Sequence, residues 1–225
     1  MIFMKAFIFD KDGVLVETFN LHFESYVKIL SKIGIKIKKN DIAKRYGMKS
    51  VEIIKQIMKD KGKKITERQV KELADKKEKI YRKISGKKLK LLLGVKKLLI
   101  YLKKKKYKIG IASSASKESI DQLLRITKIK NYIDATISGF EVKFSKPDPE
   151  IFLKCAKRLK VKPEDCVVFE DSIYGIKAAK KAHMKCVAVV TGQHSKKELK
   201  KCKPNLLLDS LKEFDKILNF LNSSP

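Results

Sequence analysis

Residues that build disulfides and zinc sites are scarce in this sequence. The 225 residues include only four cysteines and three histidines. The cysteines, at positions 155, 166, 186 and 202, form no C-x-x-C pair, and no histidine lies at zinc-ligand spacing. This pattern argues against a disulfide framework and against a zinc centre. We therefore expect reduced, mostly packed thiols in a cytoplasmic protein.

Long apolar runs and a leader pattern are also absent from the sequence. No apolar run approaches the length that spans a bilayer. The first residues, Met1 to Lys5, lack the charged, apolar and small-residue zones of a signal peptide. We therefore expect no membrane partner. With 44% hydrophobic residues the chain can bury a core, and its length suits one core domain with or without a smaller insert. We expect a monomer or a weak dimer.

Arginine is rare although the chain is strongly basic. Only five of the 54 basic residues are arginines, and the formal net charge is +29. Arginine is the better residue for recognising phosphates and bases, and the lysines fall on polar helical positions such as Lys180 and Lys181. The pattern therefore favours a solvated lysine-rich surface over a nucleic-acid site. Its field should still draw anionic substrates toward a cleft.

The first third of the chain changes from a strand pattern to a helical one. Residues 5–9 form an apolar run that predicts a buried strand. From about Thr18 to Ile84 the apolar residues recur with helical spacing, and no convincing strand interrupts them. Thr66 and Gln69 predict a capping box at the start of a long helix. This segment is the natural place for a domain boundary.

After Gly86, predicted strands and helices alternate. The strands are predicted at 107–112, 135–138, 166–169, 186–190 and 206–208, and the helices at 94–102, 117–127, 149–159, 172–182 and 211–221. Asp148 is predicted to cap the helix that begins with Pro149. Strands that alternate with helices predict βαβ units and a parallel sheet, which places the chain in the α/β class.

Polar side chains follow four of these predicted strands. They are Asp10 and Asp12, Ser113 and Ser114, Ser138 leading to Lys146, and Glu170 and Asp171. Because the carboxyl ends of parallel strands meet at one edge of a sheet, we expect these groups to lie close together. Taken alone, the serines could end a strand, the lysine could lie on the surface, and Glu170 or Asp171 could cap a helix. Two adjacent buried carboxylates, by contrast, are costly without a cation or a shared proton.

Together these residues form four motifs that resemble the haloacid dehalogenase superfamily, in the β-phosphoglucomutase-like and phosphatase branch. The motifs are Asp10-Lys11-Asp12-Gly13-Val14, Ile109 to Ser114, Ser145 to Pro149, and Phe169-Glu170-Asp171-Ser172 with Gly175. The resemblance covers nearly the whole chain. It implies a Rossmann-like doubly wound core in residues 1–17 and 86–225, with an α-helical cap domain in residues 18–85.

The resemblance also implies a role for each motif residue. Asp10 would attack phosphorus and form a phosphoaspartyl intermediate. Asp12 would protonate the leaving oxygen and later activate water. Ser113, with the backbone N–H of Ser114, would hold a phosphoryl oxygen, and Lys146 would neutralise charge.

A magnesium ion is the implied cofactor, because two anions must be brought together for this chemistry. Asp10, Glu170 and Asp171 would supply carboxylate oxygens, and Asp12 would supply its backbone carbonyl. Lys11 stands where the family usually has an apolar residue, and we expect it to add positive charge near the nucleophile.

Cap positions bear on which reaction takes place. His22 and Lys77 correspond to residues that contact the substrate in the mutase, although a histidine here is common in phosphatases and Lys77 lies among many lysines. The mutase grips its second phosphate with a cap-loop arginine, whereas this loop has no arginine. Lys49 is the substrate-binding residue we expect in its place, as a point charge without the bidentate fork. We therefore predict a Mg²⁺-dependent phosphatase that acts on a small phosphorylated metabolite, such as a sugar phosphate or phosphoglycolate. The alternatives are a β-phosphoglucomutase and a basic nucleic-acid-binding protein with a vestigial site.

Overall fold

A parallel sheet of six strands forms the centre of residues 4–222, the part of the chain that the computed structural model describes. The strands are β1 (Ala6–Phe9), β2 (Lys108–Ser113), β3 (Ala135–Ser138), β4 (Cys166–Glu170), β5 (Lys185–Val189) and β6 (Leu206–Leu208). Their order is β3-β2-β1-β4-β5-β6, so the chain winds outward from β1 in both directions. The predicted doubly wound α/β fold is confirmed. Residues 1–3 and 223–225, which the predicted core boundaries and the leader expectation include, lie outside the described residues.

Helices cover the sheet and form the segment between β1 and β2. They are α1 (Phe19–Leu30), α2 (Lys39–Ala43), α3 (Ser50–Asp60), α4 (Glu67–Ser85), α5 (Val95–Lys104), α6 (Lys117–Thr127), α7 (Glu150–Leu159), α8 (Ile173–Lys181), α9 (Lys196–Lys201) and α10 (Phe214–Asn222). Among the described residues, no helix has both the length and the apolar character needed to cross a membrane.

Side chains of the central strand alternate between two apolar clusters. Phe7 and Phe9 point into one cluster, where Phe9 stacks on Phe169 with ring centroids 4.7 Å apart. Ala6 and Ile8 point into the other cluster. A strand buried on both faces must be apolar throughout, which is why β1 has no polar residue between Ala6 and Phe9.

The helices α1 to α4 have an apolar cluster of their own. It contains Phe19, Tyr26, Ile54 and Val70, and all of its fully buried members fall within residues 19–74. The predicted capping box at the start of α4 is present, since Thr66 accepts the N–H of the residue at the third helical position. A separate cluster supports an independent helical insert, although the exact boundaries at 17/18 and 85/86 stay a prediction.

Three local predictions differ from the structure. Helix α7 begins at Glu150, so Pro149 is its N-cap residue and the predicted cap, Asp148, lies one residue before it. The carboxylate of Asp148 still accepts the N–H of Glu150 at 2.9 Å. The last helix begins at Phe214 rather than Leu211, and the carbonyl of Leu211 lies where a Cβ on Gly94 would meet it at 2.1 Å. Helix α9 was not predicted, since its lysine-rich sequence has little apolar periodicity.

Candidate active site

The ends of β1 and β4 meet at one buried lysine, Lys146. Its Nζ donates hydrogen bonds to Oδ1 of Asp10 at 2.7 Å and to Oε1 of Glu170 at 2.5 Å. Lys146 comes from the loop after β3 and is only 1% exposed. Asp10 directly follows β1, and its Oδ2 accepts the N–H of Asp12 at 3.1 Å. The structure therefore brings three of the predicted motifs into contact.

Ser113 and Ser114 extend this edge from the end of β2. The Oγ of Ser113 accepts the N–H of Ala115 at 3.2 Å, which leaves its hydroxyl proton available to a phosphoryl oxygen. Both serines line the same cavity as Asp10. The Oγ of Ser114 donates to the carbonyl of Gly47 at 2.8 Å, so this side chain ties the helical insert to the core.

A second ion pair lies around Asp12. Nζ of Lys11 is 2.5 Å from Oδ1 of Asp12 and donates to the hydroxyl of Tyr81 at 3.1 Å. The hydroxyl of Thr18 donates to the same carboxylate oxygen, and Nε2 of His22 lies 3.3 Å from it. Lys11 is fully buried. Because it contacts Asp12, it adds its positive charge there rather than at Asp10, the expected nucleophile.

The two aspartates titrate differently because different cations hold them. Burial raises the pKa of Asp10 to about 7, against the attraction of Lys146. Burial would also raise the pKa of Asp12, but Lys11 and His22 outweigh it and hold that pKa well below its usual range. Asp12 is therefore anionic at neutral pH, whereas Asp10 is near its midpoint.

Contacts in the helical insert orient His22. Nζ of Lys77 lies 2.7 Å from Nδ1 of His22, and because an ammonium can only donate, Nδ1 must accept. The ring proton is then on Nε2, which faces Asp12. Burial and the charge of Lys77 lower the pKa of His22 to about 4, so the ring is neutral at pH 7. Its ring stacks on Tyr81 with centroids 4.0 Å apart.

Lys49 lies apart from this group. Its Nζ donates to the carbonyls of Val142 and Lys143 at 2.9 and 3.2 Å, and its N–H donates to Oγ of Ser145. It does not line the cavity in this closed arrangement, so the structure does not bring this predicted substrate residue to the site. Its contacts instead hold the insert against the loop that carries Lys146.

Buried carboxylates outnumber cations at the end of β4. When Asp10, Glu170 and Asp171 are ionised beside Lys146, three negative charges face one positive charge. Burial and the neighbouring carboxylates raise the pKa of Asp171 well above its usual range. Its Oδ2 is buried without a hydrogen-bond partner. A divalent cation fits this place because it would neutralise the remaining charge of −2 and contact an oxygen that nothing else uses.

The donors that fit such an ion are fewer than the sequence predicted. Glu170 uses its Oε2 to accept the N–H groups of Asp171 and Ser172 at 3.0 Å, as well as the Ser172 hydroxyl, so it secures the start of α8. Within residues 4–222, no cluster of three or more His, Cys, Asp or Glu side chains is arranged to hold a metal. Two carboxylates, from Asp10 and Asp171, and the backbone carbonyl of Asp12 remain. Mg²⁺ accepts such a sparse oxygen set and completes it with water and phosphate.

Two glycines keep the backbone close to Asp171. Gly13 has φ +84°, and a Cβ on it would lie 2.1 Å from Oδ2 of Asp171. A Cβ on Gly192 would lie 1.8 Å from the same oxygen. The orphaned oxygen is thus framed by backbone from the β1 and β5 loops, which any larger residue would displace.

The insert and the core enclose a cavity of about 40 Å³. Core residues at the ends of β1 and β2 line one side, and the insert contributes the rest: His22, Tyr26, Tyr46, Gly47, Met48, Ser50, Ile53, Lys77 and Glu78. A space of this size holds a few water molecules at most. A larger ligand needs more space than this between the insert and the core.

The Lys11–Asp12 pair gives a stability prediction. Lys11→Met should destabilise the fold by about 3 kcal/mol, because it leaves the Asp12 carboxylate buried without its cation. The double variant Lys11→Met/Asp12→Asn should recover most of this loss, since both charges are then gone. Urea unfolding of the wild type and the three variants measures the coupling. Additive effects of the two single substitutions would show that the pair is not a buried ion pair in solution.

Sequence reasoning missed Glu78 and Tyr81, although α4 carries a signal for both. The buried face of that helix runs through Val70, Ala74, Lys77, Glu78 and Tyr81, which are spaced as one helical stripe. Charged residues within an apolar stripe indicate a polar site beneath the helix. Burial of Lys11 has no such local signal, because its partner Tyr81 is 70 positions away.

Comparison with known proteins finds similarity over most of the chain. A family model described as haloacid dehalogenase-like hydrolase matches residues 7–189. The chain is 34% identical over 219 residues to a phosphorylated carbohydrates phosphatase of Thermotoga maritima, covering 93% of this chain and 99% of that protein. It is 35% identical over 194 residues to the β-phosphoglucomutase of Bacillus subtilis, covering 84% of this chain and 85% of that protein.

A solved structure shows the same architecture. The crystal structure of a β-phosphoglucomutase from Clostridium difficile superposes with a TM-score of 0.87 at 32% identity, covering 97% of both chains. Sequence and fold thus match phosphatases and phosphomutases alike.

Proposed function

Because the chain belongs to the haloacid dehalogenase-like hydrolase family, we propose that it is a Mg²⁺-dependent phosphatase of a small sugar-like phosphomonoester. The observation that carries this proposal is the division of the two aspartates between separate cations. Asp10 is held by Lys146 at the end of β1, and Asp12 is held by Lys11 beneath the insert. One carboxylate is thereby positioned to attack phosphorus, and the other to move protons.

The chain's own residues suit the first step. The Lys146 contact orients the Asp10 carboxylate toward the cavity edge and stabilises charge that develops on the phosphoryl group. Ser113 offers its hydroxyl proton to a phosphoryl oxygen. Asp10 and Asp171 would hold Mg²⁺, which would supply positive charge to offset the negative charge of the carboxylates and the phosphoryl group.

Asp12 suits the hydrolytic step. Its low pKa makes it an anionic base that can take a proton from water attacking the phosphoaspartate. Thr18 and Lys11 hold its Oδ1, and the neutral His22 ring faces the same oxygen. In the first step the P–O bond to the leaving oxygen breaks and protonated Asp12 would give that oxygen its proton, a form that the Lys11 pairing keeps scarce. The geometry therefore supports Asp12 most directly as the base that completes hydrolysis.

The second candidate is a β-phosphoglucomutase. It is favoured by the Lys77–His22 contact beside Asp12 and by the similarity to the Bacillus subtilis mutase. Phosphatase activity is favoured by the cavity, because among the described residues that line it the only lysine or arginine is Lys77, which is paired with Glu78 at 2.9 Å. A mutase must grip a second phosphate while its bisphosphate intermediate turns around.

One assay separates the two activities. The enzyme is incubated with β-glucose 1-phosphate and Mg²⁺, and both free phosphate and glucose 6-phosphate are followed over time. We expect phosphate release to exceed glucose 6-phosphate formation by at least about tenfold, because the one lysine among the described residues of the cavity wall, Lys77, is already paired with Glu78. Faster formation of glucose 6-phosphate would establish the mutase instead. A panel of small phosphomonoesters then identifies the preferred substrate by its kcat/KM.

A further inference from the structure

A buried carboxylate, Glu78, lines the insert side of the cavity. It is 4% exposed, and its Oε1 accepts hydrogen bonds from Ser50 at 2.8 Å and from Lys77 at 2.9 Å. Its Oε2 has a longer contact with the hydroxyl of Ser119, at 3.4 Å, from helix α6 of the core. Glu78 therefore stands at the junction of insert, cavity and core, and the catalytic steps described above do not use it.

The charge of Glu78 cancels the one cation of the cavity wall. Among the lining residues that the structure describes, only Lys77 is a lysine or arginine, and Glu78 pairs with it. The charge of Lys77, with the hydrogen bonds from Lys77 and Ser50, outweighs burial and keeps the pKa of Glu78 below its usual value, so the carboxylate is ionised at neutral pH. Lys11, the next cation, is committed to Asp12. The part of the cavity away from Asp10 thus has no uncompensated positive charge.

We propose that Glu78 is a specificity residue, which selects monophosphates with a hydroxylated, uncharged distal end and rejects a second phosphate. This inference rests on the proposed phosphatase function and names its substrate class. A distal phosphate would meet the Glu78 carboxylate where water is excluded, and like charges repel strongly there. A hydroxyl at the same place could donate to that carboxylate and accept from Lys77.

Other side chains of the insert fit the same class of substrate. The hydroxyl of Tyr26 donates to Oγ of Ser50 at 3.2 Å, which continues the polar line that begins at Glu78. Met48 and Ile53 line the wall beside it and can contact the carbon skeleton. Alternating hydroxyl and C–H groups, as in a sugar or a polyol, match such a wall.

The test compares one sugar with one phosphate and with two. Values of kcat/KM are measured for glucose 6-phosphate and glucose 1,6-bisphosphate with the wild type and Glu78→Gln. The wild type should prefer the monophosphate by at least about tenfold, and Glu78→Gln should reduce that ratio at least about tenfold, chiefly by a lower KM for the bisphosphate. An unchanged ratio overturns the role of Glu78.

Two further variants separate charge from other effects. Glu72→Gln removes an exposed negative charge of the same helix, where Glu72 contacts Arg68, and it should leave the ratio unchanged. Ser50→Ala removes a hydroxyl next to Glu78. It should lower kcat/KM for both sugars without altering the ratio of the two values. A ratio that shifts as much in Glu72→Gln as in Glu78→Gln would show that the general field, not the cavity wall, sets the preference.

Binding in an inactive background keeps this inference distinct from the proposed function. Calorimetry with Asp10→Asn and Asp10→Asn/Glu78→Gln measures the affinity for both sugars without turnover. The role of Glu78 is supported if the double variant binds the bisphosphate more tightly than Asp10→Asn does. Binding of both sugars at an unchanged ratio overturns that role while the phosphatase stands. If neither sugar nor any other phosphomonoester binds or turns over, the proposed function fails and this role with it.

Discussion

Asp10→Asn should abolish phosphate release, with a fall in kcat of at least about 10⁴-fold. An amide cannot attack phosphorus in this way, and Glu170, the other carboxylate on Lys146, is held by the N–H groups at the start of α8. Phosphate release is measured at pH 7 with saturating Mg²⁺ and the best substrate of the panel. Asp75→Asn is the matched control, because Asp75 is an exposed aspartate of α4 and its loss should leave kcat unchanged.

The same substitution should raise thermal stability when no cation is present. The pKa of Asp10 is about 7 in the folded protein against 3.8 ordinarily. The folded state therefore binds this proton more tightly, and the stability that Asp10 contributes below pH 4 is lost as the pH rises through about 7. At pH 8 in EDTA we expect Asp10→Asn to raise the free energy of unfolding by about 1–2 kcal/mol, because the buried charge is gone. Such a gain corresponds to a Tm roughly 2–8 °C above that of the wild type.

Two outcomes would contradict the role of Asp10 as the nucleophile. Substantial phosphate release by Asp10→Asn would exclude Asp10 as the nucleophile. Tight nucleic-acid binding with a steep salt dependence, unaffected by Asp10→Asn, would favour the alternative of a basic binding protein with a vestigial site. The stability measurement is independent of both, because it reports only on the buried charge.

Residues at strand ends could be predicted from sequence because topology alone brings them together. Asp10, Ser113 and Glu170 end or follow neighbouring parallel strands, so their proximity follows once the strands are identified. Lys146 could be predicted as well, although only together with the other motifs. The contacts of each side chain were less predictable. The sequence predicted Glu170 as a metal ligand, whereas its carboxylate accepts hydrogen bonds from Lys146 and from the start of α8.

Contacts between the insert and the core could not be predicted from local patterns. Lys11 pairs with Asp12 beneath Tyr81, and Lys49 bonds to the loop before Lys146. Lys11 stands at a position that is usually apolar in the family, but this alone does not predict its partners, and Lys49 does not differ in sequence from the many lysines on the surface. A lysine is buried only if tertiary structure supplies its acceptors. The hydroxyl of Tyr81 and the carbonyls of Val142 and Lys143 lie across the domain junction from their lysines, so the orientation of the insert decides how far Lys11 and Lys49 are covered.

Removal of Mg²⁺ should abolish turnover, and the affinity for Mg²⁺ should depend on pH. EDTA should reduce phosphate release to the level of Asp10→Asn, and added Mg²⁺ should restore it. Because Asp10 must lose its proton to bind the ion and its pKa is about 7, affinity should rise with pH. Deprotonation of Asp10 alone predicts about tenfold tighter binding at pH 8 than at pH 6, and Asp171, whose pKa is also raised, adds to this dependence.

Calorimetric titration of Mg²⁺ at pH 6, 7 and 8 measures this dependence without any substrate. Asp171→Asn should weaken binding by at least about tenfold, because it removes one of the two carboxylates that remain for the ion. Asp75→Asn again serves as the control for a general change in charge. Affinity that is independent of pH, or unaffected by Asp171→Asn, would mean that the ion does not bind between these two carboxylates. The expected rise follows from the charge of −2 at this edge, which a proton at low pH and Mg²⁺ at high pH both relieve.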